Sequence, residues 1–141
     1  MGRRVAEGLL GFLIALPAIA QIQITAVTTS AGFVPGLPAY GGLCTIFVSG
    51  LTGINGVVTA QSLPLPVSLA GVQVYFGNLA APLYGVASLN GYQQINIQVP
   101  YESSIFSITV SQGSAVSSPV TPSFDAAPGE FFQDADGRAI V

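Results

Sequence analysis

The chain contains no histidine and no lysine, a single cysteine, and only 6% charged residues. Each shortage removes a class of function. Without histidine there is no side chain whose ordinary pKa lies near neutrality, so the usual general base, pH switch and commonest metal ligand are missing together. Histidine-dependent triads and zinc sites are excluded. The basic residues are Arg3, Arg4 and Arg138, set against six acids for a net charge of −3. That balance gives no electrostatic footprint for nucleic acid. One cysteine cannot form an internal disulfide, so stability must come from packing. Cys44 lies in the run Leu43-Cys44-Thr45-Ile46-Phe47-Val48, which reads as a buried strand, with an intermolecular bridge as the alternative.

Half of the 141 residues are apolar, which supplies the burial that disordered chains lack, and the length fits one domain. Residues 1–20 open with Arg3-Arg4, run through Leu9–Leu16 and close on Pro17-Ala18-Ile19-Ala20. This is the order of a secretory signal peptide, with cleavage expected before Gln21. The apolar run is shorter than the roughly 18–20 residues that span a bilayer. The expected organisation is a leader over 1–20 and one domain over 21–141, secreted or at the cell surface, with no membrane attachment after cleavage.

Beyond Gln21 the apolar residues recur at period two, between clusters of Gly, Pro, Asn and Ser. Candidate strands are Ile22–Thr28, Leu43–Ser49, Gly71–Phe76, Leu79–Val86, Gln93–Val99, Ser104–Ser111 and Ala115–Thr121. Val72, Val74 and Phe76 alternate with Gln73 and Tyr75; Ile95, Ile97 and Val99 alternate with Gln94, Asn96 and Gln98. Gly77-Asn78 and Gln112-Gly113 read as hairpin turns. About seven short strands of this kind predict an all-β, immunoglobulin-like antiparallel β-sandwich.

Catalysis would have to rest on carboxylates, which are scattered, so the chain reads as non-catalytic. Asp134-Ala135-Asp136-Gly137 resembles the start of a calcium loop but lacks the later ligands, so Asp134 and Asp136 are weak metal candidates against a plain turn. No cofactor is expected. The remaining candidate is an uncharged outward face built from Gln73 and Tyr75, from Gln94, Asn96 and Gln98, and from Ser107, Thr109 and Ser111, should those strands be neighbours. Such a face suits sugar or an uncharged protein surface, with a merely solvated sheet face as the alternative. Gln21–Thr28 could either begin the domain's own sheet or complete a neighbour's edge, giving a homo-oligomer by strand addition.

Several blocks resemble a known family. Ile24-Thr25-Ala26-Val27, Thr45–Leu51, Leu63–Val72, Ala81-Pro82-Leu83-Tyr84, Gln94–Glu102 and Ala127-Pro128-Gly129 are similar, in order, to the carboxy-terminal domain of secreted proteins of Acidobacteria such as Solibacter, itself like IPT/TIG immunoglobulin-like domains. The chain departs from the pattern at Ala39–Gly42 and Val48. The resemblance implies an extracellular accessory or structural module and brings no catalytic residues and no established ligand; separately, the expected partner is an unknown protein or polysaccharide at the cell surface. The resemblance also implies either truncation at the C-terminus or a short stand-alone member. Assembly into a surface filament and carbohydrate binding stay open beside it.

Overall fold

The structure, a computed structural model, describes residues 21–102 and 107–123 with positions 2, 8, 11, 12, 135 and 136. Most of the expected leader and Asp134 lie outside the described residues. Nine strands form: β1 (Gln23–Thr29), β2 (Leu43–Ser49), β3 (Gly56–Thr59), β4 (Val72–Phe76), β5 (Leu79–Ala80), β6 (Leu83–Leu89), β7 (Tyr92–Gln98), β8 (Ile108–Gln112) and β9 (Ala115–Val116). They build two antiparallel sheets, one of five strands ordered β1-β2-β7-β6-β3 and one of four ordered β5-β4-β8-β9. Setting β3 aside, the order is that of the A-B-E-D and C′-C-F-G sheets of an immunoglobulin-like sandwich.

Period-two patterning produces this architecture directly, because alternate side chains of a strand point to opposite faces. Val72, Val74 and Phe76 of β4 and Ile108 and Val110 of β8 face Cys44 and Ile46 of β2, Leu83 and Val86 of β6, and Ile95 and Ile97 of β7; all are at most 2% exposed. One core joins both sheets. Each large aliphatic in it stabilises the fold by about 1.5–3 kcal/mol through removal from water.

Two-residue turns set the hairpins. Phe76 pairs with Leu79 and Gln112 with Ala115, with Gly77 and Gly113 each at φ 59. Leu89 pairs with Tyr92 across Asn90-Gly91, whose φ values of 51 and 81 suit the turn that matches strand twist. That hairpin falls outside the sequence expectation.

The expected strand Leu79–Val86 divides in two. Ala81 N donates to Val74 O of the small sheet, while Pro82 O accepts from Gln98 N of the large one, so the chain changes sheet at Ala81-Pro82. Pro82 has no N–H to continue the first pairing. β3, too short and weakly patterned to stand out, adds an edge, and together these changes turn seven expected strands into nine. The last expected strand is paired over Ala115–Val116, then rejoins β8 through a bridge between Ile108 and Val120.

The loop from 50 to 55 closes one end of the sandwich. Gln93 Oε1 accepts from Leu51 N at 2.9 Å and its Nε2 donates to Leu51 O at 2.8 Å. Gln112 holds the next residue in the same way, with both bonds to the Thr52 backbone at 2.8 Å. One glutamine belongs to each sheet, so neighbouring peptide units tie the two sheets together. Gly50, at φ 90, leads into this loop where the chain passes Gln21 and Ile22, and a Cβ there would lie 2.6 Å from Gln21 O.

Candidate interaction face

The eight residues expected to share one polar face are divided between two. Gln73 and Tyr75 of β4 stand opposite Ser111 and Thr109 of β8, on the outer surface of the four-stranded sheet. Ser107 is beside them, its carbonyl accepting from Gly77 N at 2.9 Å. Gln94, Asn96 and Gln98 of β7 lie in the middle of the five-stranded sheet, facing away from the first group. The single face expected across three strands is therefore corrected to two, because alternation tells inward from outward but not which sheet a strand joins. Asp136 is exposed, and among the described residues no three His, Cys, Asp or Glu side chains cluster as a metal site would require.

The larger sheet's outer surface is not uniform. The chain between 30 and 36 pairs along the free edge of β1, with Gly36 N donating to Val27 O at 2.9 Å and Thr28 bridged to Pro35, and folds over β2, where the Phe33 and Phe47 rings lie 6.2 Å apart. Thr45 points outward yet is only 2% exposed for that reason. The open part is β7, β6 and β3.

There Asn96 and Gln94 of β7 stand opposite Gly85 and Ala87 of β6, which in turn stand opposite Thr59 and Val57 of β3. Gly85 and Ala87 carry almost no side chain. The result is a shallow trough along β6 with amides on one wall and a methyl-rich wall on the other. Its ends are aromatic. Leu83 and Val86 both point inward, so the irregularity between Leu83 and Gly85 leaves two consecutive residues, Tyr84 and Gly85, on the outer side. Tyr84 is 52% exposed at that end, and Tyr92, at the hairpin, is 78% exposed at the other.

The amides are oriented before any partner arrives. Ser30 Oγ lies 2.9 Å from Thr45 Oγ1, and Thr45 Oγ1 donates to Asn96 Oδ1 at 3.0 Å. With its oxygen engaged, Asn96 turns its Nδ2 donors toward the trough; a Cβ built on Gly85 would lie 3.9 Å from that nitrogen. Gln98 is spent differently, its Nε2 donating to Gly41 O at 3.0 Å, so it holds a loop rather than presenting an amide. Sequence reasoning missed Gly85, Tyr84 and Tyr92. A glycine inside a strand pattern signals a bulge or a close approach, and it was the available clue to the first two.

At the sandwich's other border, two adjoining hollows of about 230 and 300 Å³ run between Gln21–Val27 and the chain from Ser118 to Ser123. They flank the half of β1 that the loop from 30 to 36 leaves uncovered. Among the described residues no helix is long and apolar enough to cross a membrane. Comparison with protein-family models, curated proteins and solved structures finds no match for the chain.

Proposed function

We propose that the chain is an exported, non-catalytic module of the immunoglobulin-like, IPT/TIG-like kind, which presents a rigid uncharged sheet face to a partner at the cell surface. The observation that carries this reading is the relay from Ser30 through Thr45 to Asn96, which fixes an outward amide on a central strand. A merely solvated face has no use for a preset donor, whereas recognition gains affinity when ordering is completed before binding. Ile22 fits the export part of the reading. It is 1% exposed, so a cut before Gln21 would leave this core residue in place. Cell fractionation with intact-mass analysis tests the proposal. The expected result is a chain beginning at Gln21, attached to the outer surface, whose attachment falls in Asn96→Ala. A cytoplasmic chain beginning at Met1, or attachment indifferent to Asn96, would overturn it.

A second reading, assembly of copies by strand addition, is favoured by the uncovered half of β1 and the hollows beside it. β1 is already paired to β2 in its own chain, so the added strand would come from a second copy. Sedimentation of the secreted chain separates this reading from the first: Thr25→Arg would convert oligomer to monomer, and a chain that is monomeric throughout removes it.

A further inference from the structure

Resting on the interaction-module reading, we infer that the trough along β6 binds an uncharged polysaccharide. Its floor spans six residues from Tyr84 to Leu89, five steps or about 17 Å at the rise of an antiparallel strand, and the floor residues Gly85 and Ala87 leave room for flat rings to lie against the backbone. A sugar ring has two kinds of surface, an apolar face of C–H groups and a rim of hydroxyls. The trough offers a counterpart to each. Tyr84 and Tyr92 present exposed rings at its two ends, and tyrosine combines an apolar body with a polar tip.

Between those rings, Asn96 offers amide donors whose direction is set by the bond from Thr45. Gln94, beside Ala87, adds an amide able both to donate and to accept. Val57, 61% exposed on the opposite wall, gives that side apolar contact. None of these side chains carries charge at neutral pH, so nothing in the trough attracts a carboxylated or phosphorylated sugar. A protein partner would be expected to meet an apolar centre ringed by polar groups. The trough has the reverse arrangement, with aromatic rings at the ends and amides in the middle.

Affinity electrophoresis of the secreted chain through cellulose derivatives, xylan, mannan and soluble starch tests the inference, with polygalacturonate as the charged control. Retardation is expected in at least one neutral polymer, unchanged by added salt because no ion pair is involved. Tyr84→Ala and Tyr92→Ala should each weaken retardation about tenfold, the equivalent of 1.4 kcal/mol. Tyr75→Ala, on the other sheet, should leave it unchanged. Both trough tyrosines are largely exposed, and an unaltered urea midpoint in each variant confirms that folding is intact. No retardation in any neutral polymer, retardation only in polygalacturonate, or full retention by both trough variants would overturn the inference. Surface attachment that persists without glycan retardation sinks the sugar and leaves the module reading standing; loss of attachment in the wild type sinks the module reading itself.

Discussion

Replacing Gln93 should destabilise the domain more than replacing Gln112, although the two side chains make nearly the same pair of bonds. Each accepts from one loop N–H and donates to the same residue's carbonyl, at 2.8–2.9 Å. The difference is burial. Leu51, held by Gln93, is 6% exposed, whereas the bonds from Gln112 to Thr52 are exposed. In Gln112→Ala water takes over both backbone groups, and the loss should stay at or below about 1 kcal/mol. In Gln93→Ala the loop peptide is poorly reached by water, and two under-satisfied groups should bring the loss to about 2–3 kcal/mol. For a domain of this size each kcal/mol moves Tm by roughly 4 °C, so urea and thermal unfolding resolve the two. Gln93→Glu supplies an internal check. A carboxylate can accept from Leu51 N but cannot donate to Leu51 O, so at neutral pH the variant should resemble Gln93→Ala. Protonation restores the donor, which raises the carboxyl's folded pKa above its unfolded value near 4.3. The recovered stability should be present in acid and lost as pH rises through the folded pKa. Equal losses in the two alanine variants, or a Gln93→Glu stability that does not rise in acid, would refute the reasoning.

Gly50→Ala should lose about 2–4 kcal/mol, combining the left-handed backbone penalty with a Cβ placed 2.6 Å from Gln21 O, where only backbone movement gives relief. Gly53→Ala, also at positive φ but with nothing within 4 Å, should show the backbone penalty alone, and urea titration of the pair separates strain from clash. Burial pushes the Cys44 thiol up to about 12, opposed weakly by a backbone hydrogen bond from Thr28. The folded value lies above the unfolded one, so the contribution is complete below about pH 9 and is lost as pH rises toward 12. Stability should fall by about 2 kcal/mol between pH 9 and 10.5, a slope that Cys44→Ala abolishes. Thiol reagents should likewise label Cys44 at the rate of global unfolding, and fast labelling of the folded chain would contradict its burial.

The core was legible because it is written at period two: Val72, Val74 and Phe76, Ile95 and Ile97, and Ile108 and Val110 are all inward. The Gly77-Asn78 turn was legible for the same local reason, since its chemistry is contained in adjacent residues, whereas the turn expected at Gln112-Gly113 lies one residue later, at Gly113-Ser114, with Gln112 still paired to Ala115. Sheet membership was not. Nothing local to Gln73 or Gln94 says that β4 and β7 lie in different sheets, because that is decided by where the chain crosses, at Ala81-Pro82. Grouping side chains by parity alone therefore merged two opposed faces. The two stapling glutamines show a second limit. Gln93 and Gln112 share the parity of the buried Ile95 and Val110, and a polar residue at an inward position needs a partner. Identifying that partner as the loop from 50 to 55 requires the long-range fold.

The poverty of charge acquires a physical meaning once these partners are known. Gln93, Gln98 and Gln112 each hold a loop through its backbone, and two of them grip both the N–H and the carbonyl of one residue. Among amide and charged side chains only the amide does both at neutral pH, and it does so from two separate atoms; a carboxylate accepts without donating, and an ammonium or guanidinium donates without accepting. An amide-stapled sandwich is also unaffected by salt, which screens ion pairs but leaves neutral hydrogen bonds nearly unchanged. The trough follows the same rule, since Asn96 is oriented by the Thr45 hydroxyl rather than by an ion pair. The scaffold and the face it presents thus share one chemistry, so a change in acidity or ionic strength around the domain would alter neither the position of the donors nor their strength.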